Sequence, residues 1–468
     1  MLLNTPVPEG FCVKAAMDQA NRPFCTQGHQ TMLISLNRHQ WAVLFAAWLG
    51  WGLDIFDGLL FNFVAPNAVP SLLGLTIGSA EAKAATLYWT GLITALLLIG
   101  WAIGGIIFGR VCDRIGRTRT LLLTMVLYSV GTFACAFAPN MPTLIMFRLL
   151  ASLGIGGEWA AGAAMVAEEM PEKVRVEAGA LLYTSAPMGL FLATGVNSLI
   201  AGHWLAGQPE SSWRFVFLSG LLPAAVAFGV RMLVHEGDRW QHMAASGPAP
   251  RLRELFSPAY RRATASGFLM AVIALITWWS CNAFIPVVAA GLASRATSEE
   301  GVRATQMVVE HWKTTITSSF NIGGLIGTLL TVPIARTLGR RWMFGLYFLL
   351  SAAAVLMAFG AKMPADLGTW SWLYFGIGIS VFGIFGSFTF YLPELFPTRL
   401  RGTGSGFCYN AGRLITAAGP LLVGSIAARQ ADSLNGAFDA LRLVGFVPLI
   451  GVLLLPIVIE TKGKVLLD

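Results

Sequence analysis

Apolar stretches of about 20 residues or more follow one another along nearly the whole of this 468-residue chain. Each is long enough to cross a hydrocarbon core about 30 Å thick as a helix rising about 1.5 Å per residue. Length alone suggests two or three soluble domains, but the apolar runs override that expectation. Only 12% of the residues are charged, against about 25% in soluble domains, and mean hydropathy is +0.66. The chain reads as an all-α membrane protein. Runs between charged or Pro/Gly breaks place helices near 41–66, 86–108, 119–138, 141–169, 177–202 and 213–234, and a second set near 263–290, 312–335, 342–361, 368–393, 400–428 and 437–459. The expected fold is twelve transmembrane helices in two pseudo-symmetric six-helix bundles. The first bundle covers 39–234 and the second 263–460, with a cytoplasmic linker at 235–262 and cytoplasmic tails at 1–38 and 461–468.

The net charge of +8 does not call for a nucleic-acid partner. The basic residues gather in segments that the span count puts on one side of the membrane, including Arg110 to Arg119, Arg336 to Arg341 and the linker arginines Arg239, Arg251, Arg253, Arg261 and Arg262. This is the positive-inside pattern, and it places both termini in the cytoplasm of a plasma (cell inner) membrane protein. Residues 1–38 are polar and lack the apolar core of a signal peptide. The stretch Gly291 to Lys313, balanced in charge, reads as a solvated outer loop. The six cysteines show no CxxC spacing, so no disulfide framework, metal site or cofactor is expected. Walker A and HExxH patterns are absent from the sequence, which argues against an enzyme.

The two sets of helices repeat each other. Glu168, Pro171 and Arg175 have the spacing E-x-x-P-x-x-x-R, which returns in Glu394, Pro397 and Arg401, and Gly116-Arg117 is echoed by Gly339-Arg340. Duplications of this kind let secondary transporters build a site where two halves meet.

Against this apolar background, a few polar residues stand out. Asp54 and Asp57 lie near mid-membrane in the first span, three residues apart and hence on one helical face. Acids at that depth usually mark proton or substrate pathways. Two like charges in a poorly hydrated cavity do not both stay ionised, so one holds a proton until the cavity opens to the less acidic side. The pair is a candidate proton-coupling site; alternatively, one acid is bridged to an arginine for structure alone. Arg413 lies about 18 Å past Arg401 in the eleventh span, with Asn410 on the same face. A guanidinium there can grip a carboxylate in bidentate fashion, or it can be bridged to Asp54, Asp57 or Glu158. Glu158 in the fourth span is either a second protonatable site or a glutamate hydrogen-bonded to a neighbouring span. Arg148, on another face of that span, reads as a structural residue snorkelling outward. Asn282 and Asn321 fall within spans seven and eight and are candidates to line the cavity beside Trp278 and Trp279. Gly100/Gly104, Gly105/Gly109, Gly323/Gly327 and Gly402/Gly406 have the spacing of close helix contacts. Tyr88, Trp89, Trp370 and Trp372 sit at span ends as interface anchors.

The loop Gly109-Arg110-Val111-Cys112-Asp113-Arg114-Ile115-Gly116-Arg117-Thr118-Arg119 closely resembles the G-x-x-x-D-R-x-G-R-[RK] signature of the major facilitator superfamily. Gly154-Ile155-Gly156-Gly157-Glu158-Trp159 and the run Pro393 to Gly404 resemble the metabolite:proton symporters, especially the sialate:proton group. The aromatic acid:proton symporters are similar in the first span. The resemblance covers about Arg38 to Glu460 and implies two bundles that rock about a central cavity, moving a small organic acid with a proton. It also implies gating roles for Gly109, Asp113, Arg114, Gly116, Arg117, Glu168, Arg175, Glu394 and Arg401. The second copy of the loop has Arg336 and Thr337 where the first has Asp113 and Arg114, so a latch that needs the acid is one-sided.

The expected function is therefore proton-coupled symport of a small carboxylate by alternating access. Its partners would be the carboxylate, protons and the lipid bilayer, and one chain would hold a complete cavity, as a functional monomer. A sugar or polyol porter, an exporter of the same fold and a transporter-like nutrient sensor are the alternatives. The cargo's identity is not written in the spacing.

Overall fold

In the computed structural model the described residues are 36–115, 117–171, 174–233, 251–299, 305–361 and 364–462. All regular structure among them is helical, as a hydrocarbon surrounding requires, because a helix satisfies its own backbone N–H and C=O groups. The elements before the linker are α1 (Arg38–Leu73), α2 (Ala80–Ile115), α3 (Arg117–Cys135), α4 (Met141–Glu169), α5 (Arg175–Tyr183), α6 (Ser185–Asn197), α7 (Pro209–Leu218) and α8 (Leu222–Leu233). Those after it are α9 (Arg261–Asn282), α10 (Ile285–Glu299), α11 (Gln306–Gly360), α12 (Leu367–Ile377), α13 (Phe388–Glu394), α14 (Thr398–Thr416), α15 (Ala418–Ala428), α16 (Ser433–Val444) and α17 (Val447–Leu453). Taking short elements that continue one another together, 8 helices among the described residues are long and apolar enough to cross a membrane, and Arg119–Cys135 and Met141–Gly157 are shorter apolar helices.

Local chemistry explains the ends and breaks. Asn37 caps α1 by accepting from the Gln40 N–H, while the Gln40 side chain accepts from the Asn37 N–H, and Gly74 ends the helix with φ 68°. α11 holds two helices in one element, broken at Gly339, whose φ of 83° suits glycine. Glu460 caps the restarted helix, its two oxygens accepting from the N–H groups of Arg340 and Arg341 at 3.0 and 3.1 Å. α12 runs through a π-helical turn, Gly378–Phe382, and a 3-10 turn, Gly383–Ser387, before α13. That irregular stretch is possible because Gly378 and Gly383 let it lie directly on the α11 backbone at Phe320 and Gly327.

Several expectations need correction. The stretch Gly291 to Lys313 is no open loop: α10 continues to Glu299 and α11 begins at Gln306, with Glu310 and Lys313 buried. Gly100, Gly104, Gly323 and Gly327 do lie against neighbouring helices, but a Cβ on Gly406 would meet nothing within 4 Å, so that position is not a helix contact. Trp372 is 74% exposed, as an anchor should be, whereas Trp370 is buried and stacks on Phe438. Most of the tails and the linker lie outside the described residues.

Candidate functional site

Both first-helix acids are fully buried, yet they face different partners. Asp57 turns toward α3 and α4. Its Oδ1 accepts from the Thr132 hydroxyl at 2.5 Å and lies 3.6 Å from Arg148 Nη1. Arg148 does not snorkel outward. Its side chain is 3% exposed and donates to the main-chain carbonyls of Asp57 (3.2 Å) and Gly58 (2.6 Å) and to Thr132 (3.1 Å). The close approach to α1 gives the guanidinium carbonyl partners that the lipid could not supply. Asp57 Oδ2, by contrast, is buried with no hydrogen-bond partner among the described residues. Asp54 instead lies where its charge acts on Arg413.

Arg413, on α14, is also buried. Asn410, one turn earlier, accepts from its Nη1 at 2.9 Å. The guanidinium carbon stands 4.3 Å from the Trp101 ring centre and 4.7 Å from that of Tyr409, an arrangement in which ring faces stabilise the cation. The guanidinium borders a small cavity of about 20 Å³, lined by Trp51, Ile55, Trp101, Tyr183, Ala186, Trp278, Trp279, Phe385 and Tyr409 as well as Arg413. That is room for about one water molecule. Elements from both sides of the linker build it: Trp101 of α2 meets Trp279 of α9 edge to face at 5.5 Å, and Tyr183 of α5 stacks on Phe385 at 6.0 Å. The irregular stretch after α12 carries Phe385 to this wall. Asn282 and Asn321 are buried but not among the lining residues, and the Asn282 Nδ2 and both amide atoms of Asn321 have no hydrogen-bond partner among the described residues.

Both ends of the bundle carry bridges across the linker's two sides. At the Gly339 end, Arg336 of α11 pairs with Glu177 of α5. Beside it, Glu394 accepts from Arg340 Nε and Nη2 at 3.0 and 2.6 Å and from the Thr461 hydroxyl at 2.5 Å, while Arg401 donates to the Pro393 carbonyl at 3.3 Å. At the opposite end, Lys313 Nζ donates to Glu310 at 2.8 Å and to the Phe63 carbonyl of α1 at 2.6 Å, and Asn197 of α6 donates to Glu310 at 2.5 Å. Sequence reasoning missed Arg148, Glu310 and Lys313 as site residues. The i, i+3 spacing of Glu310 and Lys313 at the head of an apolar run was the available signal. The side chains of Asp113, Arg114, Arg117, Glu158, Glu168 and Arg175, with Gly109 and all of Gly116, lie outside the described residues.

A model of the family described as Major Facilitator Superfamily matches residues 41–420. The chain belongs to the Major Facilitator Superfamily. This superfamily member is 30% identical over 424 residues to a protein named probable 4-methylmuconolactone transporter from Cupriavidus pinatubonensis, covering 89% of this chain and 90% of that one. It is 25% identical over 389 residues to the sialic acid transporter NanX of Escherichia coli, covering 83% and 87%. A crystal structure of a D-xylose-proton symporter matches 92% of this superfamily chain and 100% of its own, with TM-score 0.68 and 19% identity, which shows the shared fold. The expected family is thus the observed one, and the chain is a multi-pass membrane transporter rather than an enzyme.

Proposed function

We propose that this transporter carries a small carboxylate together with a proton, by alternating access between two six-helix bundles, 39–234 and 263–460, joined by the linker 235–262. In this reading it has twelve spans, works as a monomer in a cell inner membrane and keeps both termini (1–38 and 461–468) in the cytoplasm. The observation that carries the proposal is the separation of two buried charge sites: Asp57 with Arg148 and Thr132 on one side, and Arg413, held by Asn410 and bordering the aromatic cavity, on the other.

Their chemistry divides the work. With Arg148 close by, the Asp57 charge is balanced. Arg148 stays held to the α1 backbone carbonyls, and a carboxylate this far out of water takes a proton when the cavity opens, for which Oδ2 is the available acceptor. Arg413 is the cargo's cation: its planar fork matches a carboxylate, and Asn410 fixes its orientation. Asp54 is its counter-charge while no cargo is present, so binding of an acid and protonation nearby offset one another. The ring-lined walls favour a flat, unsaturated or aromatic body behind the carboxylate. The names of the relatives, which mention a muconolactone and a sialic acid, fit a ring-bearing organic acid. Asn282 and Asn321, with unmatched amide atoms, are kept as cargo contacts in a more open state, Glu158 as a further proton site, and the Asp113 loop with Glu168, Arg175, Glu394 and Arg401 as the inner gate.

The test is uptake of labelled benzoate-type, sugar-type and dicarboxylate acids into proteoliposomes under an imposed pH gradient, with an uncoupler as control. Accumulation that the uncoupler abolishes supports the proposal; uptake indifferent to the gradient would refute proton coupling, and uptake of neutral sugars alone would refute the carboxylate.

A further inference from the structure

Among the described residues, the most heavily buried ion pair outside the central site is Glu310–Lys313. Their side chains are 2% and 0% exposed and are joined at 2.8 Å. Both lie on α11, yet their remaining bonds leave it: Lys313 Nζ reaches the Phe63 carbonyl on α1 at 2.6 Å, and Glu310 Oε2 takes the Asn197 amide of α6 at 2.5 Å. Gln306, one turn before Glu310, donates to its other oxygen at 2.9 Å, and the space beside it is tight, for a Cβ on Gly202 would come within 3.0 Å of the Glu310 Cβ. A surface pair could part at little cost, but these charges are out of water and every named bond is charge-assisted. Lys313 and Glu310 therefore cannot leave α1 and α6 singly without leaving a buried charge uncompensated.

We infer that Glu310 and Lys313 are the outer gate, an ion pair carried on α11 that grips α1 through the Phe63 carbonyl and α6 through Asn197, and that must let go before the cavity opens at that end. The inference rests on the alternating-access reading above and adds residues outside the cavity to it. A switch of this kind works as one unit, because the pair stays intact on its own helix while its grip on the opposite bundle breaks. The gate therefore moves as a neutral body, and opening loses two cross-bundle hydrogen bonds without separating charge.

The test is the distance between spin labels at exposed positions 73 and 299, at this end, and between 115 and 337, at the other, in the full chain in nanodiscs without cargo. Glu310→Gln with Lys313→Met removes both charges together. Asn197→Leu leaves the pair intact and removes one grip, so it carries the test if the double variant fails to fold. Each folded variant is expected to raise the ratio of long to short 73–299 distances by about tenfold, the shift that loss of one hydrogen bond to a charged group produces. An unchanged 73–299 distribution in a folded variant would overturn the gate. Because no cargo is used, that result is separate from a failure of carboxylate transport.

Discussion

Asp57 and Arg148, 91 residues apart in the chain, meet in the middle of the bundle, where the arginine holds the main-chain carbonyls of Asp57 and Gly58 while standing 3.6 Å from the Asp57 carboxylate. Arg148 is thus anchored to the α1 backbone independently of the carboxylate's charge state. Asp57→Asn preserves shape, so it is expected to abolish gradient-driven accumulation while retaining cargo exchange across the vesicle membrane. Asp54→Asn, which removes the counter-charge proposed for Arg413, is expected to change apparent affinity more than coupling. Counterflow and pH-jump uptake with each variant separate the two roles.

Arg413→Lys keeps a cation but loses the planar fork and much of the contact with Trp101 and Tyr409. An increase of about tenfold in KM for carboxylate uptake is expected, the equivalent of about 1.4 kcal/mol. Arg413→Gln is expected to abolish uptake of acids. If Arg413→Gln transports as the parent does, a neutral cargo is indicated.

The aromatic wall predicts a preference that can be measured on matched ligands. Aromatic contacts are worth about 0.5 to 1.5 kcal/mol beyond their area, so an aromatic acid should be preferred over its ring-saturated analogue by roughly 2- to 10-fold. Tyr183→Leu, which removes the ring stacked on Phe385, is expected to reduce that preference in competition assays.

Gly339→Ala forces a Cβ onto a residue with φ 83° and drives it against the Glu460 carboxylate. The strain is expected to cost about 1 to 3 kcal/mol and to lower the thermal midpoint in detergent. By contrast, Arg336→Gln breaks a pair whose arginine is 51% exposed, and a loss under about 1 kcal/mol is expected.

Glu460 gives a pH dependence of defined sign. Its partial burial would raise the carboxyl, but the N–H groups of Arg340, Lys462 and Arg341 and the Arg340 guanidinium outweigh this and hold it below the ordinary value of 4.5. A depressed carboxylate contributes stability that is present above its unfolded value and is lost as pH falls through the folded one. The difference in thermal midpoint between the parent and Glu460→Gln should therefore be constant near neutrality and shrink as the pH drops below 4.5.

Some of this was readable in advance and some was not, for identifiable reasons. Met141–Glu169 was legible to the residue because Asn140 and Pro142 mark its start and an apolar run follows. The break near Gly339 was expected because the basic segment Arg336 to Arg341 interrupts the apolar run. Arg148 was misread because hydropathy gives a residue's depth and says nothing of the rotation that turns its side chain toward α1. Glu310 and Lys313 looked like loop charges, since only packing against Phe63 and Asn197 removes them from water.

The sequence by itself determined that this chain crosses a membrane as helices, that short motifs recur along it and that Asp54, Asp57 and Arg413 fall well inside its expected spans, because the cost of placing each residue in hydrocarbon is a local property that adds up along the chain. Only the tertiary structure decided that Asp57 belongs to Arg148 rather than sharing a site with Asp54, that rings surround Arg413 and that Glu310 and Lys313 bind α11 to α1 and α6. Those pairings depend on how far each helix is turned about its axis, and that angle is set by the summed contacts of all its neighbours.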